Sequence, residues 1–82
     1  GRKKQYEGIM KHQILIFTTS VSCRKEVRQI KRLLGNCFSI FDISVDLEDW
    51  EKVLRIECTG VSESEIISKL REMNINAAVL NH

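Results

Sequence analysis

The chain has 82 residues, 43% of them hydrophobic and 29% charged, with a formal net charge of +2. That length allows one domain, which buries only about 60% of its unfolded surface and must commit most of its apolar residues to a single core. So small a net charge excludes a bulk electrostatic case for nucleic acid or an anionic membrane as partner. The three cysteines, Cys23, Cys37 and Cys58, are odd in number and widely spaced, which excludes a disulfide framework.

Residues 1–11 are polar and basic without periodicity and read as a flexible N-terminal tail, with a single domain over residues 12–82. The basic start is not followed by the apolar core of a signal peptide. The longest apolar run, Ile14 to Phe17, is far short of the ~20 residues that span a bilayer. With three unpaired cysteines, the expected setting is a reducing cytoplasm.

Ile14-Leu15-Ile16-Phe17-Thr18-Thr19 is rich in β-branched and aromatic residues, and its near-continuous apolarity predicts a central strand. Ser20 and Ser22 then offer capping hydroxyls to a helix. Val27, Ile30, Leu33 and Leu34 follow at helical spacing, and Arg24, Lys25, Arg28, Lys31 and Arg32 fill the remaining surface. Gly35-Asn36 tolerates left-handed geometry and predicts the helix end.

Phe41, Ile43, Val45 and Leu47 alternate with Asp42, Ser44 and Asp46, the period of a half-buried strand with Phe41 facing inward. Glu48 to Lys52 reads as a polar hairpin, Val53 to Cys58 as the returning strand, and Thr59-Gly60 as its end. Ser62-Glu63-Ser64-Glu65 is a capping box that opens a second helix carrying Ile66, Ile67, Leu70 and Met73 along one side. Asn74-Ile75-Asn76 leads into a last strand, Ala77 to Leu80.

Two strand–helix–strand crossovers joined by a hairpin predict an α+β fold: a ferredoxin-like βαββαβ sandwich, with a four-stranded antiparallel sheet and two helices on one face. In the usual strand order 4-1-3-2, the Cys23 loop, the Glu48–Lys52 hairpin and the Asn74–Asn76 loop collect at one end. His12 and His82 then lie together at the other end, about 20 Å from Cys23 across a seven-residue strand.

The element order and several local patterns resemble the heavy-metal-associated (HMA) domain family of copper chaperones and metal-transporting ATPases, over residues 13–81. That family places a Met-x-Cys-x-x-Cys loop between the first strand and helix. The corresponding segment is Val21-Ser22-Cys23-Arg24-Lys25-Glu26, followed by Val27 and Ile30. Ile40 to Leu47 resembles the family's second strand, and Glu51 to Ile56 its third. The resemblance implies a non-enzymatic binding domain in metal homeostasis, with Cu(I) or Zn(II) as the metal and a metal-transporting ATPase or another protein as partner. It implies no nucleic acid or membrane partner.

Cys23 matches the family's first thiolate, and Glu26 occupies the place of the second, so the CxxC loop is degenerate. A carboxylate is a hard ligand and a poor partner for Cu(I). Zinc accepts Cys and Glu, but a structural site needs four protein ligands and a catalytic one three. The candidate metal ligands are therefore Cys23 and Glu26, with binding either weak or shared between two copies in a homodimer. The alternative is a regulatory or protein-interaction domain that keeps the fold and has lost metal binding.

Other features are weighed against ordinary packing. Cys23 sits at a helix start beside Arg24 and Lys25, a setting in which thiols become reactive. Cys37 and Cys58 are expected to be structural, buried as small hydrophobes. The basic helix face is expected to be solvated, with docking of an acidic partner as the functional alternative. Glu48, Asp49 and Glu51 read as an ordinary acidic hairpin, and Trp50 as a contact residue if exposed. Ile75 falls where the family places an aromatic residue or a lysine beside the metal. With Phe41 inward, the open sheet face lacks the stacking platform that single-stranded RNA requires.

Overall fold

A computed structural model describes residues 12–80. Its elements in chain order are β1 (Gln13–Thr19), α1 (Arg24–Cys37), β2 (Ser39–Val45), β3 (Leu54–Thr59), α2 (Glu63–Glu72) and β4 (Ala77–Val79). The sheet order is β2-β3-β1-β4, antiparallel throughout, so the βαββαβ sandwich is the one the pattern predicts. β1 is central, but its apolar run divides between two faces. Leu15 and Phe17 point into the core while Ile14 is 50% exposed on the open side.

The core lies between the sheet and the helices. Leu15 and Phe17 of β1, and Leu54, Ile56 and Cys58 of β3, meet Ile30 and Leu34 of α1 and Ile66 and Leu70 of α2. Gln13 pins the start of β1 to the β3–α2 connection, its amide donating to the Val61 carbonyl at 2.9 Å and accepting from the Val61 N–H at 3.1 Å. The capping box is complete: the Ser62 hydroxyl accepts from the Glu65 amide, and the Glu65 carboxylate accepts from the Ser62 amide.

Three local expectations are corrected. Gly35 and Asn36 do not end α1, which runs on to Cys37 with Phe38 as its C-cap. The left-handed residues of the described chain are Lys52, Asn74 and Gly60. Phe41 is not inward but 56% exposed, because the β2–β3 register shifts between Ile40 and Asp42. One extra residue in a strand reverses which face its neighbours occupy. Phe41 therefore stacks on His12, with ring centroids 5.0 Å apart, and His12 reaches Glu57 at 3.1 Å. The third correction concerns Cys37, which is exposed at the end of α1, whereas Cys58 is fully buried as expected.

His82 lies outside the described residues, as does the expected tail over residues 1–11. No helix among the described residues is long and apolar enough to cross a membrane.

Candidate functional site

The end of β1 gathers the three connections predicted to meet there. The Thr19 amide donates to the Glu51 carbonyl at 3.1 Å, and its hydroxyl to the Lys52 carbonyl at 2.7 Å. The Ser20 amide donates to the Asn76 carbonyl, and the Asn76 amide to the Ser20 hydroxyl, both at 3.0 Å. These bonds fasten the hairpin and the α2–β4 loop beside the segment that carries Cys23. Ser20 is thus a loop clasp rather than a helix cap.

The helix start is closed by a side chain from within the helix. Cys23 is the N-cap residue, and its own side chain makes no capping bond. Instead Glu26 reaches back, and its Oε1 accepts from the Ser22 amide at 2.7 Å and the Ser22 hydroxyl at 3.0 Å. The Cys23 thiol points at the same oxygen from 3.9 Å. Carboxylates at helix N-termini are stabilised by such donors and by the helix dipole. The Ser22 amide, then its hydroxyl, holds the Glu26 carboxyl below the ordinary glutamate range.

The donor set does not fit a metal ion held within one chain. Cys23 and Glu26, the two candidate ligands, are brought together, but the carboxylate oxygen nearest the thiol is committed to Ser22. Among the described residues no group of three His, Cys, Asp or Glu side chains could hold an ion. Glu48, Asp49 and Glu51 do not converge. The nearby Asp46 carboxylate accepts from the Glu48 and Asp49 amides, and Asp49 from the Glu51 amide, so these oxygens order the hairpin. Ile75 is 2% exposed and belongs to the core. His12 is occupied with Glu57 and Phe41 far from Cys23.

A thiol and an aromatic side chain at this end are open to solvent. Cys23 is exposed, and Trp50 at the hairpin is 87% exposed. In the native protein a thiol reagent should therefore modify Cys23 and Cys37 rapidly and Cys58 only on unfolding. A time course of thiol modification with and without denaturant measures this. Burial also pushes the Cys58 thiol up, away from the reactive thiolate.

Three glutamates have carboxyls held below the ordinary glutamate range by hydrogen bonds. Glu26 and Glu65 are lowered chiefly by the backbone amides of Ser22 and Ser62, and Glu57 by its hydrogen bond to Arg55 and then by His12. A carboxyl lowered on folding adds stability above its unfolded pKa, about 4.3, and loses it as the pH falls through the folded value. The urea midpoint should therefore hold from about pH 5 up to about pH 8, where an unfolded thiol begins to ionise and buried Cys58 does not, and decline below about pH 5. Glu26→Gln should flatten part of that decline, measured as midpoint against pH.

The residues missed at sequence level are Ser22 and Glu26 as a bonded pair. Their spacing of four, with the acid in the first turn, was the available signal.

No protein-family model matches the chain, and no curated protein does. Among solved structures, the fold is similar to the apo form of the HMA domain of a copper chaperone for superoxide dismutase. The TM-score is 0.69 at 19% identity, over 88% of this chain and 70% of that one. At that identity the likeness establishes the fold: the chain has the ferredoxin-like architecture of an HMA domain.

Proposed function

We propose that this chain is a non-enzymatic protein-binding module on an HMA-like fold, in which the first loop is closed by its own hydrogen bonds in place of a metal. The observation that carries this is the Glu26 carboxylate oxygen shared by the Ser22 amide and hydroxyl and faced by the Cys23 thiol. A metal loop exchanges its ligands between solvent and ion; here the position of the second ligand already has protein donors. Trp50, exposed at the same end, supports docking, since aromatic side chains anchor many protein interfaces.

A second reading rests on the exposure of Cys23. Two copies approaching loop to loop would each supply one thiolate to a soft ion. The fully reduced protein, titrated with Cu(I) and Zn(II) against a competing chelator, separates the two. The proposed function expects no more binding than in Cys23→Ser. Tight binding with two chains per ion, abolished by Cys23→Ser, would replace it with the shared-metal reading.

A further inference from the structure

A basic groove runs along the edge of the sheet, beginning at Arg24 and Val27, the residues that follow Cys23 and Glu26 on α1. It has a volume of about 340 Å³ and lies between the first half of α1 and the end of β2. Val27, Val45 and Leu47, all half-buried, form its apolar part, and Arg24, Arg28 and Lys31 supply its charge. No acidic residue lines it. The ion pairs of the described residues are His12–Glu57, Arg55–Glu57 and Lys69–Glu72, so none of the three groove cations is neutralised by one. The acid within β2, Asp42, lines the adjoining cavity with Lys31, beyond the groove itself, and Asp46, just past the strand, turns its carboxylate to its own hairpin amides.

The groove adjoins a sheet edge. β2 is an outer strand, seven residues long, whereas the opposite edge is the three-residue β4. The Asp46 amide donates to the Val53 carbonyl, on the β3 side. Because amides alternate along a strand, those of Ile43 and Val45 face the free side. Among the described residues no strand pairs with that side.

We propose that the α1–β2 groove binds an acidic segment of another protein in extended form, added as a strand to the free edge of β2. Backbone groups of the segment would meet the Ile43 and Val45 amides, a recognised mode of peptide capture. Its acidic side chains would meet the cations, and the spacings agree. Residues four apart on a helix, such as Arg24 and Arg28, rise about 6 Å, and alternate residues of a strand about 6.6 Å. Two alternate side chains of such a segment therefore keep step with Arg24 and Arg28, and Lys31, about 4.5 Å further along the helix, adds charge beyond them.

Charge selects this occupant over the others available. A second copy joined edge to edge through β2 would set the same cations against themselves. Residues 1–11 of the chain hold Arg2, Lys3, Lys4 and Lys11 against one acid, Glu7, and have the wrong sign. A nucleic acid has the right sign, but the apolar part of the groove and the edge amides suit a peptide strand.

The proposal rests on the protein-binding reading of the chain and names its partner class. The probe is a synthetic peptide of about eight residues alternating glutamate and valine, long enough to match β2, added to the 15N-labelled chain. The expected result is a set of shift changes centred on Ile43, Val45 and α1, with slowed exchange of the Ile43 and Val45 amides. Arg28→Glu combined with Lys31→Glu should weaken binding at least about 10-fold. Both positions are exposed, and a thermal melt confirms that the double variant is folded.

Binding that maps elsewhere, or that survives the double reversal, overturns the proposal. So does tighter binding of oligouridylate at the same groove, or dimerisation of the free chain through β2. Cys23→Ser is the separating control. Peptide binding unchanged in that variant supports the groove whatever the metal titration shows, whereas tight metal binding by the parent chain would sink only the metal-free loop.

Discussion

Phe17→Ala should leave the chain largely unfolded at 25 °C. Phe17 is fully buried in the central strand, where it pairs with Leu54 of β3 and Val79 of β4. Removing a buried phenylalanine costs about 3–5 kcal/mol through lost transfer energy and the cavity left behind. A single core in a domain this small rarely supplies more than about 3–5 kcal/mol in total. The loss thus equals the whole margin. Ile14→Ala on the same strand, at a side chain 50% exposed on the open face, should change stability by no more than about 0.5 kcal/mol. Far-UV circular dichroism through a urea titration compares the two. A cooperative transition in Phe17→Ala close to that of the parent would contradict the core as described.

Glu26→Cys should convert the loop into a Cu(I) site within one chain. The substitution places a second thiol three residues after Cys23 and removes the carboxylate that ties up Ser22. Two soft ligands then replace one soft and one hard ligand. Affinity should rise by more than about 100-fold, because even changes to groups behind a metal ligand are worth 10–100-fold. Loss of the cap should cost about 1 kcal/mol in the metal-free state, so the variant should be less stable without copper and more stable with it. Chelator competition and thermal melting with and without Cu(I) test both signs. An unchanged affinity would mean that the loop geometry, rather than its ligand set, opposes metal.

Much of the fold was legible because its strongest local signals agree with one another. The capping box at Ser62–Glu65 marks α2, and the apolar spacing of Val27, Ile30 and Leu34 marks α1. Thr59-Gly60 marks the end of β3, where Gly60 adopts a φ of +67°. Gly35-Asn36 misled because a helix tolerates both residues when nothing forces a turn, and α1 continues until Phe38 departs into β2. Phe41 misled because a bulge has no required residue type. Its trace is a break in phase: Phe38 and Ile40 pack against the core on one parity, Ile43 and Val45 on the other.

The site was legible in part. Cys23 and Glu26 were singled out as residues, and the structure does bring them together. Their chemistry was less visible, since a glutamate in a first helical turn serves equally as ligand or cap. The structure adds the reach of its carboxylate to Ser22, a contact between side chain and backbone that no residue pattern specifies alone. The α1–β2 groove was invisible for a different reason. Its cations were read as a solvated face of one helix, whereas the groove exists only where that face meets Val45 at the end of β2 and Leu47 in the turn after it.

The most direct test of the metal-free loop is the Ser22 amide itself, followed by NMR in the reduced protein with chelator present. With Glu26 as its acceptor, that amide should be slow to exchange, and its shift should follow a carboxyl titrating below the ordinary glutamate range. Both signatures should vanish in Glu26→Ala. An amide that exchanges freely in the metal-free protein and gains protection only when Cu(I) or Zn(II) is added would contradict a loop closed by hydrogen bonds.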